Sequence, residues 1–248
     1  AQRLSATLQS IENAASASHR PTPRLLAVSK TQSATAVAAL AAAGQRAFGE
    51  NYVQEAQAKV RELETSGLEW HLIGHLQSNK AEVAATVFDW VQTVDRAKLI
   101  PALAKHRPSE RTPLNVLIQV NIDDEASKHG CAPVEVPALV AAIVAEPRLR
   151  LRGLMAIPAP HPDIELRRDA YRRMADLFKH LALQHPGADT LSMGMSDDFA
   201  LAIAEGATMV RVGTALCGRR EEARQPSFFS NTLPCHTTSI PDRPKETR

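Results

Sequence analysis

Residues 25–44, LLAVSKTQSATAVAALAAAG, contain a short apolar run followed by an alanine-rich segment. The run 25–28 is long enough for one strand and leads into Ser29-Lys30. The segment 34–43 has helical composition and ends at Gly44, a residue type that commonly terminates helices. The stretch therefore predicts a strand joined to a helix by a short loop.

The same strand-and-helix unit recurs along the rest of the chain. A leading helix is predicted over residues 2–17, where apolar side chains recur at helical spacing. Further apolar runs indicate strands at 47–48, 70–73, 90–94, 114–122, 151–157, 191–195 and 209–213. Helices are predicted between them at 53–64, 78–87, 96–106 and 134–145, around 171–181, and in a short segment ending near 205. The pattern predicts eight strands, seven intervening helices and one leading helix.

This alternation predicts a closed parallel barrel. Strands buried on both faces have near-continuous apolar sequences, and helical crossovers of about a dozen residues force neighbouring strands to run parallel. Eight such units fit a single (β/α)8 barrel (TIM barrel), with the N-terminal helix taking the place of the last one. An open doubly wound sheet is the alternative, although it rarely needs eight regular repeats. We expect the barrel over residues 1–218 and a flexible tail over 219–248, where the repeat stops and prolines accumulate.

The composition argues against several classes of protein. The chain has 248 residues, of which 44% are hydrophobic, and its net charge is only +2. These values are typical of a globular protein and do not indicate a nucleic acid or membrane partner. The longest apolar run, 36–43, spans eight residues, against about 20 for a membrane helix. Because the three cysteines are far apart and no signal segment is evident, we expect a cytoplasmic protein without disulfides or a metal site.

Lys30 is a candidate site residue because it ends the first predicted strand. Functional sites of (β/α)8 barrels lie at the carboxyl ends of the strands, which would place this ammonium in the barrel mouth. No other charged residue lies within three positions of Lys30. A desolvated lysine can form a Schiff base with an aldehyde, and a solvated surface lysine is the alternative explanation.

The ends of the seventh and eighth strands have the composition of a phosphate site. Ser196 is predicted to cap the helix after the seventh strand, and Gly213-Thr214 offers backbone N–H groups that no side chain of Gly213 obstructs. Loops after these two strands bind phosphate in many barrels of this type. A plain helix cap is the alternative for Ser196, but the coincidence of the two loops favours phosphate.

Arg211 interrupts the last apolar run, two residues before the second of these loops. An arginine inside a strand is costly unless it is paired or contacts a ligand. Arg211 could bridge to Asp197 or Glu205, or it could face the edge of a ring. The residues alone leave both explanations open.

Other signals are weaker. His71 and His75 are four positions apart in a strand, about 13 Å, so they are not expected to bind one metal ion. Cys217 is interpreted as a small buried residue near the end of the last strand, and Glu50 as a lone carboxylate without an evident acid–base partner. The chain has no G-x-G-x-x-G and no Walker-type loop, which argues against a nucleotide site.

Six segments of the chain resemble the pyridoxal phosphate homeostasis proteins, also called proline synthetase co-transcribed proteins. The segments are 27–31 (AVSKT), 48–55 (FGENYVQE), 70–80 (WHLIGHLQSNK), 127–130 (SKHG), 191–197 (LSMGMSD) and 209–214 (MVRVGT). They occur in the family's order, and the resemblance covers roughly residues 4–218. Residues 215–218, ALCG, depart from the usual Ile-Phe pair before the glycine, and the tail has no match in the family's pattern.

The resemblance implies a single barrel like the N-terminal domain of alanine racemase that binds pyridoxal 5′-phosphate (PLP). By position, Lys30 matches the lysine that forms the internal aldimine, and Ser196, Gly213 and Thr214 match the phosphate site. Arg211 matches the arginine beside the pyridine nitrogen, and Asn51 matches a residue that lines the cofactor.

The resemblance also implies a protein without catalytic residues that holds PLP and supplies it to other proteins, with PLP-dependent apo-enzymes as the expected recipients. Related racemases add a β-rich C-terminal domain that brings a catalytic tyrosine to a dimer interface. Only 30 residues follow Gly218 here and none is a tyrosine, so we expect a monomer without racemase activity. A cationic Arg211 would also leave the pyridine nitrogen unprotonated and the ring a weak electron sink. The alternatives are a small PLP enzyme, such as a racemase or decarboxylase, and an aldolase that uses Lys30 without a cofactor.

Overall fold

The computed structural model describes residues 1–125 and 128–217, except for the side chains of Thr65, Thr214 and Cys217. The strands in this part of the chain are β1 (Arg24–Val28), β2 (Ala47–Glu50), β3 (Glu69–Leu72), β4 (Trp90–Val94), β5 (Leu114–Val120), β6 (Leu149–Ala156), β7 (Thr190–Met195) and β8 (Met209–Val212). The α-helices are α1 (Gln2–Ala17), α2 (Ala34–Ala42), α3 (Val53–Glu62), α4 (Ala81–Val87), α5 (Leu99–His106), α6 (Val136–Val144), α7 (Ile164–Gln184), α8 (Phe199–Ala204) and α9 (Thr214–Cys217). Short 3-10 helices cover Glu64–Ser66, Ser78–Lys80 and Pro133–Glu135.

The eight strands form one closed parallel barrel in chain order. Each strand pairs with the next, and β8 closes the barrel on β1 in a register that aligns Leu26 with Arg211 and Ala27 with Val212. The helices between the strands supply the crossovers that parallel pairing requires. The predicted (β/α)8 barrel is therefore confirmed, and the open doubly wound sheet is wrong.

The main hydrophobic core lies between the strands and the surrounding helices. Leu25 and Ala27 of β1 belong to the same buried cluster as Val37 of α2. Leu26, between them, belongs to a separate small cluster with Met209 of β8. Because strand residues alternate between two faces, Leu26 and Met209 mark the interior of the barrel.

The leading helix covers the barrel where the last repeat is short. α9 has only four residues, whereas α1 has sixteen and buries Leu4, Ile11 and Ala15 along one face. This face packs against α8 and α9. The predicted role of the N-terminal helix, filling the place of the eighth outer helix, is confirmed.

The observed boundaries differ from the predicted ones at a few positions. β6 begins at Leu149 instead of 151, because Leu149 and Leu151 are buried on either side of an exposed Arg150. α5 begins at Leu99, three residues later than predicted, and residues 214–217 form α9, so Cys217 lies in a helix.

In the described part of the chain, no helix combines the length and apolar character needed to cross a membrane. The predicted flexible tail, residues 219–248, lies outside the described residues.

Candidate functional site

The predicted site residues lie at the carboxyl end of the barrel, apart from one inside it. Lys30 follows β1, Asn51 follows β2 and Ser196 follows β7. Gly213-Thr214 follows β8, whereas Arg211 is part of that strand. Because the eight strands run parallel in one barrel, the residues that follow them share one end of the molecule.

Lys30 is an exposed residue of the turn after β1. Among the residues that the structure describes, none forms a hydrogen bond or ion pair with its ammonium group. Lys30 lies two residues beyond the end of β1, in a turn at the carboxyl end of the barrel. Its amine is exposed and has no partner in the described part of the chain.

Gly213 brings the backbone of the β8 loop close to the end of β1. A Cβ atom at this position would lie 3.2 Å from the Cβ and 3.3 Å from the carbonyl oxygen of Val28. Only a residue without a side chain fits this approach without displacing its neighbour. The loop therefore lies directly beside Val28, the last residue of β1, and Thr214 begins α9 immediately after it.

The loop after β7 differs from its predicted structure. Ser196 is not the N-cap of α8, which begins at Phe199 with Asp198 at the N-cap. The Asp198 carboxylate accepts a hydrogen bond from the Met195 N–H at 2.8 Å and one from the Tyr171 hydroxyl at 2.7 Å. These bonds close the loop on itself and leave Ser196 half-buried at its apex. The predicted capping role was wrong because three consecutive residues, 196–198, can all cap a helix.

Arg211 is a buried cation inside the barrel, with 3% of its surface exposed. Its guanidinium donates one hydrogen bond to Ser192 Oγ at 2.8 Å and another to the Ala156 carbonyl oxygen at 2.8 Å. Burial lowers the pKa of Arg211 to about 10, so it remains charged at neutral pH. None of the ion pairs within residues 1–125 and 128–217 includes it.

The two bridges considered for Arg211 on sequence grounds do not form. Glu205 instead pairs with Arg168 at 2.9 Å, and Asp197 forms no ion pair within the described chain. A buried guanidinium has five N–H donors, and two of its nitrogens make the hydrogen bonds to Ser192 and Ala156. The remaining donors, on a cation with no ion-pair partner in the described chain, suit a ligand with an acceptor atom.

A chain of buried side chains continues from Arg211 through the barrel interior, and sequence analysis did not detect it. Ser192 Oγ lies 2.7 Å from Gln92 Oε1, and Gln92 Nε2 lies 2.9 Å from His71 Nδ1. His71 Nε2 lies 2.7 Å from Glu69 Oε1 at the opposite end of the barrel. The sequence signal for this chain was the presence of polar residues inside strands β3, β4 and β7, because a polar side chain buried inside a barrel needs a hydrogen-bond partner there.

The directions of the hydrogen bonds in this chain follow from Arg211, which can only donate, and from Gln92 Oε1, which can only accept. Ser192 accepts from Arg211 and therefore donates to Gln92, whose amide nitrogen then donates to His71 Nδ1. The His71 proton is left on Nε2, where it is donated to Glu69. Burial lowers the pKa of His71, which agrees with this neutral tautomer. His71 is consequently a structural residue, and it does not meet His75, which lies exposed at the rim.

Asn51 lies at the edge of a rim cavity of about 400 Å³. The cavity is lined by Asn51, Tyr52, Val53, Gln54, Gly74, His75, Gln77, Lys80 and His129. Gly74 permits the close approach of two loops, since a Cβ there would lie 2.1 Å from the Asn51 carbonyl oxygen. The absence of a side chain at Gly74 thus allows the Asn51 backbone to lie directly against it.

Three residues at this rim offer imidazole or carboxylate atoms within 4.8 Å of one another, namely His75, Asp95 and His129. The His75 and His129 rings are stacked with centroids 3.8 Å apart and planes only 15° from parallel. An imidazole nitrogen binds a metal in the plane of its ring, and two nearly parallel planes do not meet at a nearby ion. The geometry is that of a stacked pair.

Glu50 is not the lone carboxylate that sequence analysis proposed. It is fully buried, and its Oε1 accepts hydrogen bonds from Ser29 Oγ at 2.6 Å and from Lys59 Nζ at 2.7 Å. Lys59 Nζ also contacts Glu55 Oε1 at 2.8 Å and the Ser29 carbonyl oxygen at 2.7 Å. Burial raises the pKa of Glu50, while its bonds to Lys59 and Ser29 oppose that rise. These residues form a buried ionic cluster directly behind Lys30.

The chain matches proteins of one family over nearly all of the barrel. Residues 2–221 match the family model of the alanine racemase N-terminal domain. The pyridoxal phosphate homeostasis protein of Escherichia coli (strain K12) is 53% identical over 204 residues, which cover 81% of this chain and 87% of the relative. The chain belongs to the pyridoxal phosphate homeostasis protein family. The predicted resemblance is thereby confirmed.

A further relative and one solved structure support the same assignment, and a more distant structure shares the fold. The family member of Pseudomonas aeruginosa is 51% identical over 223 residues, covering 89% of this chain and 96% of the relative. PipY of Synechococcus elongatus PCC7942, solved with PLP bound, has a TM-score of 0.75 and 37% identity, covering 88% of this chain and 99% of PipY. Alanine racemase from Corynebacterium glutamicum, at 18% identity and a TM-score of 0.60, shares the fold over 90% of this chain and 62% of its own length.

Proposed function

We propose that this protein binds PLP at the carboxyl end of its barrel, holds it as a Schiff base on Lys30 and supplies it to PLP-dependent apo-enzymes. The observation that carries the proposal is Arg211, a buried cation without an ion-pair partner in the described chain, in the same barrel as an unpartnered Lys30. A ligand with an aldehyde for the lysine and an aromatic nitrogen for the arginine satisfies both. PipY, a relative with PLP bound, supports this choice of ligand.

The residues present fit the three functional groups of PLP. The ε-amine of Lys30 would form a C=N bond to the aldehyde carbon, with the aldehyde oxygen leaving as water. Ser196, Gly213 and Thr214 come from the two loops that would receive the phosphate dianion, and Asn51 would line the ring. Gly213 suits the phosphate because no side chain separates its N–H from an approaching oxygen.

The hydrogen-bond donors expected to face PLP favour storage of the cofactor over transformation of amino acids. Arg211 would donate a hydrogen bond to the pyridine nitrogen, which leaves that nitrogen unprotonated and the ring a weak acceptor of electrons. Tyr171 is a poor proton donor for such chemistry, because burial raises the pKa of its hydroxyl, which is bonded to Asp198. We therefore propose a PLP carrier without catalytic activity, acting in the cytoplasm as a monomer whose barrel domain spans residues 1–218.

The contribution of the phosphate loops can be measured by comparing PLP with pyridoxal, which lacks the phosphate. Each charge-assisted hydrogen bond contributes about 1.5–3 kcal/mol, so pyridoxal should bind about tenfold more weakly or worse. Equilibrium titrations of the full-length protein, followed by visible absorbance, give both dissociation constants. Equal affinities would contradict the phosphate assignment. A purified protein with no affinity for PLP would contradict the proposed function as a whole.

A further inference from the structure

Both neighbours of Lys30 in the chain are bonded to the same buried ionic cluster. Ser29 donates its hydroxyl proton to Glu50, and its carbonyl oxygen accepts from Lys59. On the other side, the Thr31 N–H donates to Glu55 Oε1. The cluster thus restrains the backbone immediately before and immediately after Lys30.

The cluster has a single well-defined geometry. An ammonium has three N–H donors, and those of Lys59 are matched by three acceptors at 2.7–2.8 Å: the Ser29 carbonyl, Glu50 and Glu55. The Lys59 side chain is 7% exposed and that of Glu50 is 0% exposed. Water is therefore excluded from the contact between Lys59 and Glu50, while Glu55, whose side chain is 25% exposed, forms the outer edge of the cluster.

Thr31 indicates that the cluster imposes a conformation on this turn. Its φ is +64°, in the left-handed region that β-branched residues rarely adopt. Such a residue persists only where the surrounding contacts fix it. Here the fixing contact is the hydrogen bond from the Thr31 N–H to the Glu55 carboxylate.

We propose that Glu50, Glu55 and Lys59 are positioning residues that hold the Lys30 backbone where its amine can reach the aldehyde of PLP. The proposal rests on the proposed function. A buried ionic cluster adds little to stability compared with apolar side chains of similar volume, so its location behind the reacting lysine points to positioning. Covalent bond formation is sensitive to such placement, because a displacement of about 1 Å can slow a reaction about a hundredfold.

Glu55 is the best position for a test, since its side chain is 25% exposed and its loss is least disruptive to folding. Glu55→Ala removes the acceptor of the Thr31 N–H and one partner of Lys59. Pyridoxine 5′-phosphate serves as the comparison ligand, because it has the ring and the phosphate but no aldehyde. A positioning role affects PLP and leaves this ligand unaffected, whereas general damage to the site affects both.

In Glu55→Ala, we expect the rate of Schiff base formation with PLP to fall at least about tenfold, measured by stopped-flow absorbance. The affinity of this variant for pyridoxine 5′-phosphate should stay within about twofold of wild type. Glu55→Gln retains an acceptor for the Thr31 N–H and should recover most of the rate, which also covers the case in which Glu55→Ala does not fold. Glu62→Ala, an exposed residue of the same helix, is the matched control and should leave both values unchanged.

Equal losses for the two ligands, or a wild-type rate in Glu55→Ala, would overturn the positioning role while leaving the proposed function intact. A wild-type protein that binds pyridoxine 5′-phosphate but forms no Schiff base on Lys30 would overturn both. The two failures are thus distinguishable in one set of measurements.

Discussion

Ser192→Ala tests whether the polar chain inside the barrel stabilises the buried charge of Arg211. Ser192 is fully buried and links two polar groups, accepting from Arg211 at 2.8 Å and donating to Gln92 at 2.7 Å. Alanine occupies the same backbone position and removes only the hydroxyl oxygen. The space that one oxygen leaves is marginal for a water molecule, so both partners lose a hydrogen bond.

The magnitude follows from the two bonds. A hydrogen bond to a charged group contributes about 1.5–3 kcal/mol and a neutral one about 0.5–1.5 kcal/mol. Together they predict that Ser192→Ala lowers the free energy of unfolding by about 2–4.5 kcal/mol. Its affinity for PLP should fall as well, because Arg211 then has one fewer contact to hold its guanidinium in place.

Urea unfolding followed by far-UV circular dichroism measures this change. Ser109→Ala provides the matched control, since Ser109 is exposed and bonds only its neighbour Glu110 in the described structure. The control should stay within about 0.5 kcal/mol of wild type. Equal unfolding free energies for Ser192→Ala and Ser109→Ala would contradict the reasoning, because they would show that the chain of hydrogen bonds does not stabilise the buried charge of Arg211.

Four further outcomes are expected. Incubation with alanine, serine or glutamate plus PLP should give no racemisation above that of free PLP, because the proposed contact with Arg211 would leave the ring a weak electron sink and Tyr171 is bonded to Asp198. Steady formation of the D-enantiomer that depends on Lys30 would mean an enzyme. Burial raises the pKa of Cys131 to about 12, so its thiol should resist iodoacetamide in the native protein at pH 9. The raised pKa also makes stability depend on pH: the contribution of Cys131 is fully present below the unfolded thiol pKa of about 8.5 and should be lost progressively as the pH rises toward about 12. If the difference in unfolding free energy between wild type and Cys131→Ala did not change over this pH range, the result would contradict the shift. Gly74→Ala should lower stability by about 1–3 kcal/mol and weaken PLP binding, because its Cβ would meet the Asn51 carbonyl at 2.1 Å; a variant with wild-type melting temperature would show that this approach is not required.

The fold was predictable because periodicity is a local property of the sequence. Each strand of the barrel is a short apolar run, and α1 shows its buried face in the spacing of Leu4, Ile11 and Ala15. The strand-end position of Lys30 followed directly from that pattern. Arg211 was also identifiable, since a charge inside an apolar strand needs a partner or a ligand.

The contacts between distant side chains could not be predicted in the same way. Glu55 and Lys59 are spaced as an ordinary surface pair on a helix, and the sequence does not show that Lys59 turns inward to reach Glu50. The link from Ser192 to Gln92 joins residues 100 positions apart in the chain. The loop after β7 was misjudged because Ser196 and Asp198 are equally good caps by composition, and the sequence does not show that Asp198 takes the N-cap position with its carboxylate bonded to Tyr171 and Met195.

The measurement closest to the central claim is the identity of the lysine that carries PLP. The full-length protein is loaded with PLP, reduced with borohydride, digested and analysed by mass spectrometry. The modified peptide should contain Lys30, and the Lys30→Ala variant should give no adduct while unfolding at the same urea concentration as wild type. An adduct on Lys59, Lys80 or Lys128 instead, or one that persists in Lys30→Ala, would contradict the assignment of the site.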